Sequence, residues 1–84
     1  MRYQTSHINP ATGKRKLSYC ADNAADARSY LAIIFRWLSL QPNAPKHRWI
    51  KMLESLCGYD GEGHFELKGP DGFVYMIDPI EERS

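Results

Sequence analysis

Three histidines (His7, His47, His64) and two cysteines (Cys20, Cys57) are the side chains of this 84-residue chain best suited to metal ligation or nucleophilic chemistry. No two of them stand at the short interval that places a pair of ligands on one turn, so surface histidines and small buried thiols are expected, with no metal. Asp60, Glu62 and His64 alternate on a glycine-spaced segment, but the bidentate Glu of a calcium loop is missing. A solvated, flexible loop is the expectation there. Gly13-Lys14 has neither the leading Gly nor the following Ser or Thr of a phosphate loop, and it enters a strand instead of a helix. His64 and Asp78 come opposite each other if residues 64–78 form a hairpin. With no nucleophile beside them they read as a structural ion pair. The chain is therefore expected to be non-enzymatic, with no catalytic residues and no cofactor.

Binding chemistry is better represented, because the charge is divided along the chain. Residues 1–52 hold nine Lys or Arg against two acids, and residues 53–84 hold eight acids against two basic residues. A near-neutral total thus hides a strong dipole, which steers a small domain onto charged partners. Lys14, Arg15 and Lys16, with His47, Arg48 and Lys51, form a basic pole able to reach phosphates or an acidic protein surface. Asp60, Glu62, Glu66, Asp71 and Asp78 form an acidic pole that could imitate a phosphate backbone and fill a basic groove.

The elements that position these residues are marked by turn chemistry. Residues 3–8 and 15–21 read as strands around Asn9-Pro10-Ala11-Thr12-Gly13, where Pro presets a turn and Gly supplies positive φ. A three-residue loop at 11–13 gathers Tyr3, Thr5, His7, Leu17 and Tyr19 on one face, and a four-residue loop splits them. The first register is preferred because it collects the rings. Asp22 or Asn23 caps a helix running to about Leu40, with Arg28, Ala32, Arg36 and Ser39 as its narrow polar stripe and Tyr30, Phe35 and Trp37 among its apolar residues. Asn43 and Pro45 open a second helix that ends at Gly58, with Trp49, Ile50, Leu53, Leu56 and Cys57 as its buried side.

Residues 64–68 and 73–78 then make a second hairpin about Gly69-Pro70-Asp71-Gly72, and Pro79 ends its pairing. A type I turn with a Gly bulge sets Leu67 opposite Tyr75 and Phe65 opposite Ile77. It sets Lys68 opposite Val74 and Glu66 opposite Met76 on the other face. The expected fold is α+β in the order ββααββ, a four-stranded antiparallel sheet of two hairpins with two helices packed on one face. Residues 1–80 make one domain and residues 81–84 a flexible tail. Tyr19 and Tyr59 are the rings expected to be exposed.

Size and composition narrow the class further. A chain of 84 residues, 43% hydrophobic and 25% charged, suits one soluble globular domain. No apolar run is long enough for a membrane span, and the first residues do not resemble a signal peptide. A cytoplasmic setting with reduced thiols follows. The surplus apolar surface of the first helix could also serve self-association, through the segment from Tyr30 to Trp37.

Two resemblances add to these readings. The strand before Gly13-Lys14-Arg15-Lys16, the strand after it, and Asp26-Ala27-Arg28 opening a helix resemble the arm-type DNA-binding domains of phage-type integrases. That resemblance implies DNA contacts at Lys14, Arg15 and Lys16, over about a third of the chain and without those domains' third strand. The chain as a whole resembles in type, with no shared motif, the small inhibitors carried by phages and mobile elements, such as anti-CRISPR proteins. That likeness implies a cytoplasmic inhibitor or adaptor, in the bacterial host if phage-encoded, that occupies a charged surface of a nucleic-acid-handling protein complex and blocks substrate access. The alternative is a small DNA-binding domain using the basic hairpin and helix.

Overall fold

A computed structural model describes residues 2–80, so the expected tail at 81–84 lies outside the described residues. Strand β1 (Arg2–Ile8) and β2 (Arg15–Ala21) are followed by helices α1 (Ala24–Ser39) and α2 (Lys46–Cys57), then by β3 (Phe65–Lys68) and β4 (Val74–Ile80). The strands form one antiparallel sheet in the order β2-β1-β4-β3, so the chain's first and last strands pair at its centre. The architecture is the α+β, ββααββ fold expected from the turn and helix signals.

In the first hairpin, both registers considered from the sequence occur. Asn9 N–H donates to Lys14 O and Gly13 N–H to Asn9 O, closing a four-residue loop that sets His7 opposite Lys16 and Ser6 opposite Leu17. A bulge then leaves Ser18 without an opposite residue, and beyond it Thr5 faces Tyr19 and Tyr3 faces Ala21. The preferred register therefore holds only on the far side of the bulge. Its consequence is local: Leu17, expected among the rings, is turned to the outer face and exposed, and Ser18 takes the place beside His7.

The second hairpin pairs as expected, from Phe65 with Ile77 to Lys68 with Val74. Gly72 sits at φ 87°, where a Cβ would be strained, and its N–H reaches Gly69 O at 3.0 Å. Pro79 does not end the pairing, because β4 continues beside β1 with Tyr3 opposite Pro79 and Arg2 opposite Ile80. The β3 ladder stops at Phe65–Ile77. At Pro79 the strand thus has a ladder on one side only, the setting in which a missing N–H is tolerated.

Asn23 is the cap of α1, its side-chain oxygen accepting the Asp26 N–H at 2.8 Å. Asn43 does not cap α2. It adopts φ 63° in the connection, a conformation Asn tolerates better than most residues, and Pro45 stands at the start of the helix with no side-chain cap. Both helices lie on one face of the sheet. Ala27, Leu31 and Phe35 of α1 are buried with Trp49, Met52 and Leu56 of α2, and the Phe35 ring centre lies 5.0 Å from that of Tyr75 and 5.7 Å from that of Trp49.

The buried faces differ from those expected. On α2, Met52 is buried while Ile50 and Cys57 are exposed, so the inward residues follow the i, i+3, i+7 rhythm of Trp49, Met52 and Leu56. On α1, Arg28 is half-buried and donates to Tyr59 O at 2.7 Å, whereas Ile33, Trp37 and Leu40 face outward. A two-layer domain covers one side of each helix, and on α1 that side is centred on Leu31.

Candidate docking surface

The geometry of α1 concentrates the exposed apolar surface. Ile33, Trp37 and Leu40 are 68%, 61% and 75% exposed and fall at i, i+4 and i+7, one stripe along the helix. Trp37, not among the rings expected to be exposed, is thus on the surface, while Trp49 is 2% exposed. Beside the stripe lies an open cleft of about 200 Å³ lined by His7, Ser18, Tyr30, Ile34, Phe73 and Tyr75. Tyr30 and Ile34 belong to the same helix as Trp37 and lie three or seven residues from it, so cleft and stripe adjoin. Tyr30 is stacked on Tyr19, with ring centres 4.7 Å apart.

Within the cleft His7 Nδ1 lies 2.7 Å from Ser18 Oγ. Among the described residues no carboxylate contacts the His7 ring, so the pair lacks the orienting group that a nucleophile's base requires. Its polar atoms are instead placed to receive a hydrogen-bonding group at the bottom of an apolar cleft.

The charged residues are rearranged by the sheet. Ile8 pairs with Val74, and a Cβ on Gly72 would stand 3.1 Å from Pro10 Cγ, so both hairpin tips lie at one end of the sheet. The C-terminal half of α1 points to that end, since Ile34 shares the cleft with His7 and Phe73, while Ala24 sits near Gly61 and Tyr3 at the other end. Helix α2 runs back antiparallel, with Leu56 and Cys57 near Ala25 and Arg28, so its first turn returns to the tip end. Lys14, Lys16, Lys46, His47 and Arg48 therefore gather around the tip end of the domain, all exposed and with no ion pair among the described residues. Lys51 is exposed one turn further along α2 and equally unpaired among them.

Arg15 is the exception in the basic pole. Its guanidinium crosses the outer face of the sheet, donating from Nε to Ser6 Oγ at 3.0 Å and from an Nη to Asp78 Oδ2 at 2.8 Å. The two sequence poles thus meet there. Most of the acidic pole is engaged locally: Asp71 accepts from the Tyr75 hydroxyl at 2.6 Å and the Phe73 N–H, and Asp60 accepts from the Glu62 N–H. Burial, then the Asp71 hydrogen bond, drive the Tyr75 pKa far upward. Glu62 is exposed at the end of the domain away from the hairpin tips. Residues 59–63 are not a loosely solvated loop. Tyr59 is buried, against expectation, its hydroxyl donates to Gly63 O, and the Tyr3 hydroxyl donates to Gly61 O at 2.6 Å.

The expected His64–Asp78 pair forms. His64 Nδ1 lies 2.5 Å from Asp78 Oδ1, and Nε2 lies 3.1 Å from Glu66 Oε1. A neutral imidazole would face one carboxylate with a lone pair, so the arrangement favours the cation, and the ring's pKa is raised by the hydrogen bonds to Asp78 and then to Glu66. A raised pKa in the folded state contributes stability that is complete below about 6.5 and lost as pH rises through the folded value. Wild-type stability should therefore fall over a window that opens at about pH 6.5 and runs upward through the folded value. The ring is exposed, so the loss should stay within about 1 kcal/mol. In His64→Gln, urea midpoints should be flat over that window; an unchanged slope would place the titrating group elsewhere.

Cys20 and Cys57 are unbonded and exposed, which corrects the expectation of buried thiols. Among the described residues no cluster of His, Cys, Asp or Glu is arranged to hold a metal ion, and no helix is long and apolar enough to cross a membrane. The chain matches no protein-family model, no curated protein and no solved structure. The sequence anticipated surplus apolar surface on α1 between Tyr30 and Trp37, but not the outward stripe of Ile33, Trp37 and Leu40. Its spacing was visible, but the side of the helix that the sheet covers was not.

Proposed function

We propose that this chain is a non-enzymatic binding protein, an inhibitor or adaptor that covers a surface of a protein complex handling nucleic acid and blocks access to its substrate. The observation that carries this reading is the exposed stripe of Ile33, Trp37 and Leu40 next to unpaired basic side chains. An accessible Trp within an apolar patch is the kind of residue that dominates protein interfaces. The basic pole is preferred to the acidic one as the docking side, because Asp78, Glu66, Asp71 and Asp60 already have partners within the domain. The nucleic-acid link rests on the charge: a surface that follows basic residues onto an acidic partner competes with, or accompanies, phosphate. Such an inhibitor would work in the cytoplasm of a bacterial host.

Direct DNA binding through Lys14 and Lys16 is the second reading, favoured by their exposure at a hairpin tip. Gel shift and affinity capture run in parallel at two salt concentrations separate the two. The proposal expects a captured protein whose own nucleic-acid binding falls when the chain is added, and no DNA shift at about 50–100 mM salt. A sequence-independent DNA shift that weakens steeply with salt and with Lys14→Ala/Lys16→Ala, without a protein partner, would replace the first reading with the second.

A further inference from the structure

We infer that the α1 stripe and its cleft receive one amphipathic helix of a partner protein, apolar on the contact side and carrying Asp or Glu on its flanks. The inference rests on the binding function proposed above and adds the chemistry of the occupant. Ile33, Trp37 and Leu40 repeat at helical spacing, so they offer a ridge against which a second helix packs by ridges and grooves. The adjoining cleft is walled by Tyr30, Ile34, Phe73 and Tyr75 and takes one large side chain. His7 and Ser18 provide polar atoms for an anchor with a polar tip, such as Tyr or Trp.

Charge selects the occupant. Lys16 is paired with His7 and stands on the same face of the edge strand, next to the cleft. Arg36 is exposed one turn from both Ile33 and Leu40. Lys14 is exposed at the tip of the same hairpin, and Lys46 begins the helix that follows Leu40 after a short connection. A second copy docking by two-fold symmetry would bring this basic rim against itself, whereas acidic flanks on a partner helix complement it. The Asp26 carboxylate on the same side of α1 is already held by the Tyr19 hydroxyl at 3.0 Å.

Two synthetic helical peptides of about 20 residues test this, both with one apolar face of Leu and Tyr, one with Glu and the other with Lys on its flanks. Binding to the full chain is followed by the two tryptophan indole N–H signals in nuclear magnetic resonance spectra. The Glu peptide should shift the Trp37 signal and leave that of Trp49 in place, and should bind at least about tenfold more tightly than the Lys peptide at about 50 mM salt. The difference should narrow at about 500 mM salt and vanish in Lys14→Glu/Lys16→Glu. Trp37→Ala should abolish binding, read by the fluorescence anisotropy of a labelled Glu peptide, while keeping the urea midpoint close to wild type, which separates lost contact from lost fold.

Equal affinity for the two peptides, or no movement of the Trp37 signal, would overturn the inference. So would a concentration-dependent dimer in sedimentation that Trp37→Ala abolishes, since a second copy would then own the stripe. If the peptides fail while capture still finds a partner and its nucleic-acid binding still falls, the binding function stands and only the helical occupant is lost.

Discussion

Replacing Trp49 by Ala should cost about 3–5 kcal/mol, while the same replacement at Trp37 should cost less than about 1 kcal/mol. Trp49 is 2% exposed and packs on Phe35 and Tyr75, so its removal opens a cavity between α1, α2 and the central strand β4. A domain of 84 residues has roughly 4–13 kcal/mol of total stability, so the Trp49 variant should approach unfolding at room temperature. Trp37 is 61% exposed, and most of its ring is in water before the substitution. Urea titrations with matched slopes read both values. Equal costs would mean that α1 is turned about its axis, with the stripe inside, and would remove the proposed docking surface.

Gly61→Ala should be the more damaging of two loop substitutions that look alike in the sequence. Gly61 and Gly63 both have positive φ, at 92° and 75°, so an alanine at either carries backbone strain of about 1–2 kcal/mol. A Cβ at Gly61 would also stand 2.9 Å from Ala24 Cβ and 3.1 Å from the Tyr3 hydroxyl, whereas at Gly63 it meets open space. Overpacking of that kind adds about 1–3 kcal/mol, and here it also strains the hydrogen bond from Tyr3 to Gly61 O. The Gly61 variant should melt below the Gly63 variant by about 4–8 °C for each additional kcal/mol. Identical melting points would contradict the pinning of residues 59–63 against the start of α1.

The parts of the fold that were legible are those governed by short-range chemistry. Gly69-Pro70-Asp71-Gly72 needs a positive φ at its last residue, and that requirement alone sets all four pairs of the second hairpin. The cap at Asn23 and the stop after Leu40 are equally local. The bulge at Ser18 was not legible, because the first hairpin's two registers each satisfy part of the pattern and the chain uses one on each side of the bulge.

Long-range placement hid the rest. Helix α1 is apolar around most of its circumference, and periodicity does not say which side the sheet covers. Arg28, read as solvated, is drawn inward by the Tyr59 carbonyl, and Trp37 is left outside. The division of charge was visible as a gradient along the chain. It could not reveal that Arg15 would span the sheet to Asp78, sixty-three residues away, or that pairing β1 with β4 would interleave the two halves. That pairing gathers Lys14 and Lys16 with the start of α2 at one end, beside the apolar stripe.

The central claim is that this end of α1 is a protein-docking face, and site-specific photo-cross-linking tests it most directly. A benzophenone side chain, which keeps an aromatic anchor in the stripe, replaces Trp37 in one variant and the exposed Glu54 of α2 in a control, and each is irradiated in the cells that produce the chain. The account predicts a covalent adduct to one protein from position 37, none from position 54, and loss of the adduct in the Lys14→Glu/Lys16→Glu background. Adducts to nucleic acid alone from position 37, or the same protein adducts from both positions, would contradict it.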